Sequence, residues 1–131
     1  MNHVYNAILF HVTFCIPFQW YQRRKVLLSR ATYWDDREPI PKSPSSMLKQ
    51  IDLIQNWQQE NGNKPIAVHC MNGAERSGLF CVVAALIERT KVEQDVAVEQ
   101  IIKQMRCRRP QIIPNVISIM LTQMDVQNWD I

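Results

Sequence analysis

A cysteine and an arginine six positions apart are the residues of this chain best suited to act together chemically. Cys70 ends an apolar run, five residues separate it from Arg76, and Ser77 and Gly78 follow. A loop this short can turn its backbone N–H groups inward, and a helix after it directs its positive end at the same point. That field lowers a thiol pKa, while a guanidinium can grip two oxygens of an anion. The pattern predicts an anion cradle with a nucleophile at its base, and the Ser77 hydroxyl is placed to donate to the thiolate.

The stretch from His69 to Gly78 resembles the active-site signature of the cysteine-dependent protein tyrosine phosphatases. That signature reads His-Cys, five residues, Arg, then Ser or Thr and Gly. The resemblance implies that the Cys70 thiolate attacks phosphotyrosine, with Arg76 and the loop amides stabilising the equatorial oxygens. The substrate-binding residues it implies are those of the loop: Met71, Asn72, Gly73, Ala74, Glu75 and Arg76.

A second match to the family lies upstream, at Trp34. The family carries a mobile loop of the form Trp-Pro-Asp, whose Asp protonates the tyrosyl leaving group. Alignment on Trp34 puts Asp36 at the general-acid position and Asp35 where proline is expected. Asp36 lies 34 residues before Cys70, a separation typical of the tyrosine-specific branch. The alternative is that both aspartates are solvated loop carboxylates without a catalytic role, because a general acid is established by geometry.

Two residues are expected to support the site without touching substrate. They are Trp34, beside the predicted acid, and His69, which precedes the nucleophile. For His69 a plain structural role is an equal alternative to hydrogen bonding of the loop. For Cys70 the alternative, a buried and inert thiol, fits poorly because Gly73 and Arg76 are in register with it.

The chain also departs from the family pattern at several positions. Glu75 replaces the usual glycine, and an inward-facing carboxylate there would repel phosphate and raise the Cys70 pKa. Arg109 to Ile113 aligns with the family's closing loop, but Pro114 and Ser118 occupy the positions of glutamines that orient the hydrolytic water. Residues 1–30 match nothing in the family's front half. These departures resemble the weakly active or inactive second domains of receptor-type enzymes.

Two functions therefore follow from the resemblance. The first is a protein tyrosine phosphatase that works through a phosphocysteine intermediate, without metal or cofactor. The second is a pseudophosphatase that binds phosphotyrosine or a partner phosphatase domain but hydrolyses little. The basic cluster of Lys103, Arg106, Arg108 and Arg109 is too small to predict nucleic-acid binding, since such residues commonly complement a helix dipole.

The elements that position these residues follow from periodicity and breaks. We expect one or two short strands before Ser29, with Pro17 as a break, and a helix from Pro44 capped by Ser43 and ended at Asn61. Further elements are a buried strand over Pro65–His69 and helices over Arg76–Thr90 and Val92–Met105. The stretch from Ile112 onward is less regular, with a candidate helix near Val116–Met124. The predicted fold is α/β, a short mixed sheet flanked by helices, with residues 31–131 forming the C-terminal part of a phosphatase domain.

Composition bounds the remaining possibilities. The chain has 131 residues, 47% hydrophobic and 21% charged, which excludes a disordered or low-complexity segment. A net charge of +3 suits an anionic ligand. Its four cysteines lack the spacing of a zinc site or disulfide framework, so we expect reduced thiols and a cytoplasmic location, on the inner side of a receptor if the gene is longer. The apolar run 7–18 is shorter than the ~20 residues that cross a bilayer, so direct membrane insertion is not expected.

Overall fold

Two strands and three helices account for the regular structure of the described residues. The computed structural model describes residues 5–16, 19–35, 37–92 and 97–113. The chain divides into two units, one of Met1–Asp35 with Pro41–Lys64, the other of Asp36–Ile40 with Pro65–Ile131. The predicted α/β class is confirmed. The division after residue 30 concerned family resemblance and stays a prediction.

The first unit begins with an antiparallel pair of strands, β1 at Tyr5–Ile16 and β2 at Gln19–Ala31. The first residue of β1 pairs with the last of β2, and the register shifts between Phe14 and Ile16. The expected strands are therefore present, but they are 12 and 13 residues long rather than short. The antiparallel pairing runs from Tyr5 with Ala31 to Ile16 with Gln19, and this ladder gives both strands their length.

Helix α1 spans Pro44–Glu60, as its sequence signals predict. Ser43 is the N-cap residue, in an extended conformation, but its hydroxyl bonds to the Ser45 and Ser46 hydroxyls rather than to a backbone N–H. The helix ends at Asn61, and the next two residues take the left-handed conformations that stop it. On the predicted apolar face, Met47 and Ile51 are buried. Leu48, Ile54 and Trp57 on the same face are half-buried.

A buried amide ties α1 to β2 within this unit. The Tyr33 hydroxyl donates to Gln50 Oε1 at 2.6 Å, and Gln50 Nε2 donates to Ser29 Oγ at 2.8 Å. Both ends of the amide are thus satisfied, which removes most of the cost of burying it. Burial also raises the pKa of Tyr33, so its hydroxyl remains a donor at neutral pH.

The second unit is built on helix α2 at Glu75–Thr90, which packs against α3 at Val98–Arg108. The prediction of a core helix is confirmed, since its apolar residues Leu79, Val82, Val83, Leu86 and Ile87 are buried. They meet three buried residues of α3, namely Val98, Ile101 and Ile102. α3 begins six residues later than predicted, because Val92 lies in an exposed turn. The expected helix near Val116–Met124 falls outside the described residues.

The prediction of a buried strand over Pro65–His69 is wrong. This segment has no regular secondary structure, and its residues are exposed, with Ile66 at 45% and Val68 at 37%. A run of apolar residues shows that a segment is suited to burial, but a strand also needs a neighbouring strand to pair with. Among the described residues, the sheet consists of β1 and β2 alone.

A search of the described residues finds no helix long and apolar enough to cross a membrane.

Leu86 is the residue through which we expect the second unit to be most easily destabilised. Its side chain is 0% exposed in α2. Leu86→Ala should lower the free energy of unfolding by about 2–5 kcal/mol, because it removes apolar contacts and leaves a cavity. Val92→Ala, at a position 82% exposed, is the matched control and should change it by less than about 0.5 kcal/mol. Urea titration followed by circular dichroism measures both, and equal midpoints would contradict this packing.

Candidate active site

Cys70 lies in the loop between the irregular segment 65–69 and helix α2. Its Sγ is 3.3 Å from Ser77 Oγ in the first turn of the helix and 3.3 Å from Asn72 Oδ1 in the loop. Ser77 is buried and Cys70 half-buried, so the sulfur has one protected and one open side. The structure therefore brings the predicted nucleophile and its hydroxyl partner together.

The environment of Cys70 favours its thiolate. Partial burial raises the pKa of the thiol, but hydrogen bonds from the Ser77 hydroxyl and from the backbone amides of Ser77, Gly73 and Ala74 lower it more. The net result is a pKa of about 7, against an ordinary 9.0. Glu75 is not among the groups that shift this pKa, and it is exposed. In this arrangement the Glu75 carboxylate therefore does not raise the pKa of Cys70.

Asn72 makes contacts that the sequence did not predict. Its Oδ1 accepts hydrogen bonds from the backbone N–H groups of Ala74 at 3.0 Å and Glu75 at 3.1 Å. These donors lie at the start of α2, where backbone N–H groups lack partners within the helix. Two of the amides expected to face a bound anion are thus engaged by a side chain of the loop itself.

Gly73 allows the loop to close and accepts a contact from beyond α3. Its φ of +66° lies in the left-handed region that side chains disfavour. Its carbonyl accepts a hydrogen bond from Arg109 Nη1, and a Cβ added at Gly73 would lie 2.9 Å from that nitrogen. A larger residue here would therefore strain the backbone and displace the guanidinium.

The segment after α3 contacts the start of α2 and is also bonded to α3 itself. Ile112 packs so closely on Gly78 that an added Cβ would approach its Cγ2 to 2.8 Å. Arg106 Nε donates to the Ile112 carbonyl at 3.1 Å, and its Nη2 donates to the Ile113 carbonyl. The basic cluster at the end of α3 therefore contributes two side chains, Arg106 and Arg109, to internal contacts around the loop.

The other predicted site residues differ in how far they are exposed. Met71 is 95% exposed and His69 is exposed, so neither is enclosed by the loop. Arg76 is half-buried in the first turn of α2. Trp34 is half-buried in the first unit. Asp36, the predicted general acid, lies outside the described residues. The same holds for Pro114 and Ser118, the two positions where the family has glutamines.

The described residues contain no group of three or more His, Cys, Asp or Glu side chains that could hold a metal ion. The three cysteines described, at positions 70, 81 and 107, are free thiols. Burial raises the pKa of Cys81, which sets it apart from Cys70 as a neutral thiol.

Sequence reasoning missed Arg109 and the capping role of Asn72. The alignment of Arg109 to Ile113 with the closing loop was a signal for Arg109, but its contact depends on a fold that separates it from Gly73 by 36 residues. Asn72, two residues before the first free amides of a helix, carries the ordinary side-chain signal for accepting their hydrogen bonds.

Comparison with known proteins agrees with the resemblance predicted from the signature. A family model described as Protein-tyrosine phosphatase matches residues 6–126, beginning well before the segment in which we expected resemblance. Human receptor-type tyrosine-protein phosphatase alpha is 40% identical over 74 residues, which are 56% of this chain and 9% of that protein. Human receptor-type tyrosine-protein phosphatase C is 30% identical over 99 residues, which are 69% of this chain and 8% of that protein.

A solved structure shares the fold at low sequence identity. The protein tyrosine phosphatase TbPTP1 of Trypanosoma brucei superimposes with a TM-score of 0.76 at 21% identity, over 98% of this chain and 44% of that one. The chain thus spans less than half of this structural neighbour and about a tenth of the curated relatives it matches.

The lowered pKa of Cys70 gives a direct chemical prediction. Its alkylation by iodoacetamide should rise with pH to half its maximum near pH 7, because only the thiolate reacts. Ser77→Ala removes one stabilising hydrogen bond, which moves the pKa upward and slows alkylation at pH 7 by about fivefold. Ser45→Ala, an exposed serine of α1, is the control. Peptide mass spectrometry assigns the modified cysteine, and an unchanged Ser77→Ala profile would rule out this role for the hydroxyl.

Proposed function

Because the chain belongs to the protein-tyrosine phosphatase family, we propose that it hydrolyses phosphotyrosine in proteins through a phosphocysteine intermediate. The observation that carries the proposal is the Cys70 thiol, whose pKa falls to about 7 beside Ser77 and the loop amides. A thiol with this pKa is about half ionised at neutral pH, which supplies a nucleophile without an added base.

In the first step, the Cys70 thiolate attacks the phosphorus and a phosphorus–sulfur bond forms. The bond from phosphorus to the tyrosyl oxygen breaks, and Asp36 donates a proton to that departing oxygen. Arg76 binds two of the phosphoryl oxygens in a bidentate manner, and loop N–H groups bind the developing charge. The phosphoryl group is left on Cys70 and tyrosine departs as a neutral phenol.

In the second step, water attacks the phosphocysteine and the thiolate is the leaving group. Asp36, now ionised, accepts a proton from the attacking water, and the products are inorganic phosphate and free Cys70. Ser77 stabilises the departing thiolate through its hydroxyl, 3.3 Å from the sulfur. Pro114 and Ser118 stand where the family has water-orienting glutamines, so we expect this step to limit turnover.

A second candidate function is a pseudophosphatase that binds phosphotyrosine or a partner phosphatase domain. The observation that favours it is the engagement of two loop amides by Asn72, which leaves fewer donors for a transition state. Glu75, although exposed, adds a negative charge beside those amides. In the first function the partner is a phosphotyrosine-containing protein, and in the second it is such a protein or a partner phosphatase domain. A thiolate nucleophile is best preserved in the reducing cytoplasm.

A burst assay tests hydrolysis and separates the two steps. With a chromogenic aryl phosphate, the unmodified chain should release about one equivalent of phenol rapidly and then turn over slowly. Cys70→Ser should abolish both phases, and acid quenching with mass spectrometry should find a phosphoryl group on Cys70.

Cys107→Ser, at an exposed cysteine far along the chain, is the matched control and should retain both phases. A phosphoenzyme without turnover would favour the second function. Absence of both adduct and turnover in a chain with native circular dichroism would refute the catalytic proposal.

The assignment of the general acid is tested by comparing neighbouring aspartates. Asp36→Asn should lower kcat/KM, which reports the first step, by about 10²–10⁴-fold on phenyl phosphate, because the poor leaving group needs a proton. The loss should be smaller on 4-nitrophenyl phosphate, whose phenolate leaves unaided. Asp35→Asn is the control and should change kcat/KM by less than about threefold. The reverse ranking of the two variants would move the acid to Asp35.

A further inference from the structure

The side chain of Asn72 takes up hydrogen-bond donors that the proposed reaction needs for its substrate. Its Oδ1 accepts from the N–H groups of Ala74 and Glu75 and lies 3.3 Å from Cys70 Sγ. In the proposed reaction, phosphoryl oxygens bind to loop amides beside the same sulfur. An oxygen of the protein therefore occupies amides that the proposed reaction assigns to an oxygen of the substrate.

The chemistry of this contact matches the substrate-free form of the site. Two donated hydrogen bonds require the oxygen, rather than the nitrogen, of the Asn72 amide to face the loop. A carbonyl oxygen only accepts hydrogen bonds, so it is compatible with a Cys70 thiol that donates and unfavourable beside a thiolate. Ionisation of Cys70 and arrival of an anion therefore both weaken the Asn72 contact.

We infer that Asn72 is an autoinhibitory latch, whose amide oxygen competes with the substrate for the loop amides and is displaced when phosphotyrosine binds. The inference rests on the proposed function, since it concerns the same anion site. Asn72 is exposed, so its side chain can leave the loop by rotation without disturbing the core. The latch requires no change in the backbone of α2.

The relative strength of the competing hydrogen bonds makes the latch reversible. Amide N–H groups bind a charged oxygen about twice as strongly as a neutral one, so a phosphate dianion displaces the Asn72 oxygen. The apparent affinity for phosphate is nevertheless reduced, because the anion binds only to those molecules in which the latch is open. Removing the side chain should therefore tighten anion binding, although it deletes a polar group from the binding loop.

Tungstate, a dianion that cannot be hydrolysed, is the probe for this competition. By isothermal titration calorimetry, Asn72→Ala should bind tungstate about tenfold more tightly than the unmodified chain, as expected if about one loop in ten is open. Asn72→Gln should also bind tungstate more tightly, because the longer side chain moves the amide oxygen away from the point at which it accepts from the Ala74 and Glu75 N–H groups. Asn56→Ala, on the exposed side of α1, is the matched control and should leave the affinity unchanged.

A second measurement reports on the loop independently of tungstate. The rate of Cys70 alkylation by anionic iodoacetate, divided by that by neutral iodoacetamide, should rise in both Asn72 variants. Unchanged or weaker tungstate binding in both variants would overturn the latch and make Asn72 a residue that only shapes the loop.

The outcome is separable from that of the proposed function. Tighter tungstate binding in the Asn72 variants, with no phosphocysteine in any variant, would refute hydrolysis and keep the latch. Phosphocysteine formation, with unchanged tungstate affinity in the Asn72 variants, would support hydrolysis and overturn the latch.

Discussion

The stabilisation of the Cys70 thiolate is the interaction on which the rest of the site depends. The Ser77 hydroxyl lies 3.3 Å from the sulfur, and backbone amides of the loop and of the first turn of α2 lower the pKa of the thiol. The loop turns successive N–H groups to one side of the chain because Gly73 takes a left-handed conformation. A thiol in an otherwise unremarkable surface loop thereby acquires a pKa near neutrality, and every step proposed for the chain uses the resulting thiolate.

Helix α2 belongs to the core along most of its length and reaches solvent at its start. Its apolar residues from Leu79 to Ile87 are buried in the second unit, whereas Glu75 in its first turn is exposed. Arg106 and Arg109 bond to the neighbouring backbone through the carbonyls of Ile112 and Gly73. Two members of the basic cluster thus make internal contacts, because guanidinium groups are well suited to satisfy carbonyl oxygens in a loop.

The parts of this structure that sequence could predict are those decided by local chemistry. The signature around Cys70, the start of α1 at Pro44 and the apolar character of α2 depend on neighbours within a few residues. The segment of Ile66 and Val68 shows the limit, because whether an apolar run becomes a strand depends on a partner strand elsewhere. The Arg109–Gly73 contact could not be predicted for the same reason. Asn72 is an intermediate case, since its capping potential is local but its closeness to Cys70 depends on the turn.

The packing of Ile112 on Gly78 has a consequence for how substitutions combine in this chain. Any side chain at position 78 meets a β-branched residue whose Cβ and both γ carbons are close, so the neighbour cannot rotate out of the way. The effect of a change at one position is therefore set by the residue at the other, and the two free-energy changes do not add. An alanine at position 78 becomes acceptable only when position 112 is small, so the order in which these two sites can vary is constrained. Positions 78 and 112, which are 34 residues apart in the chain, are therefore expected to show epistasis at the start of α2.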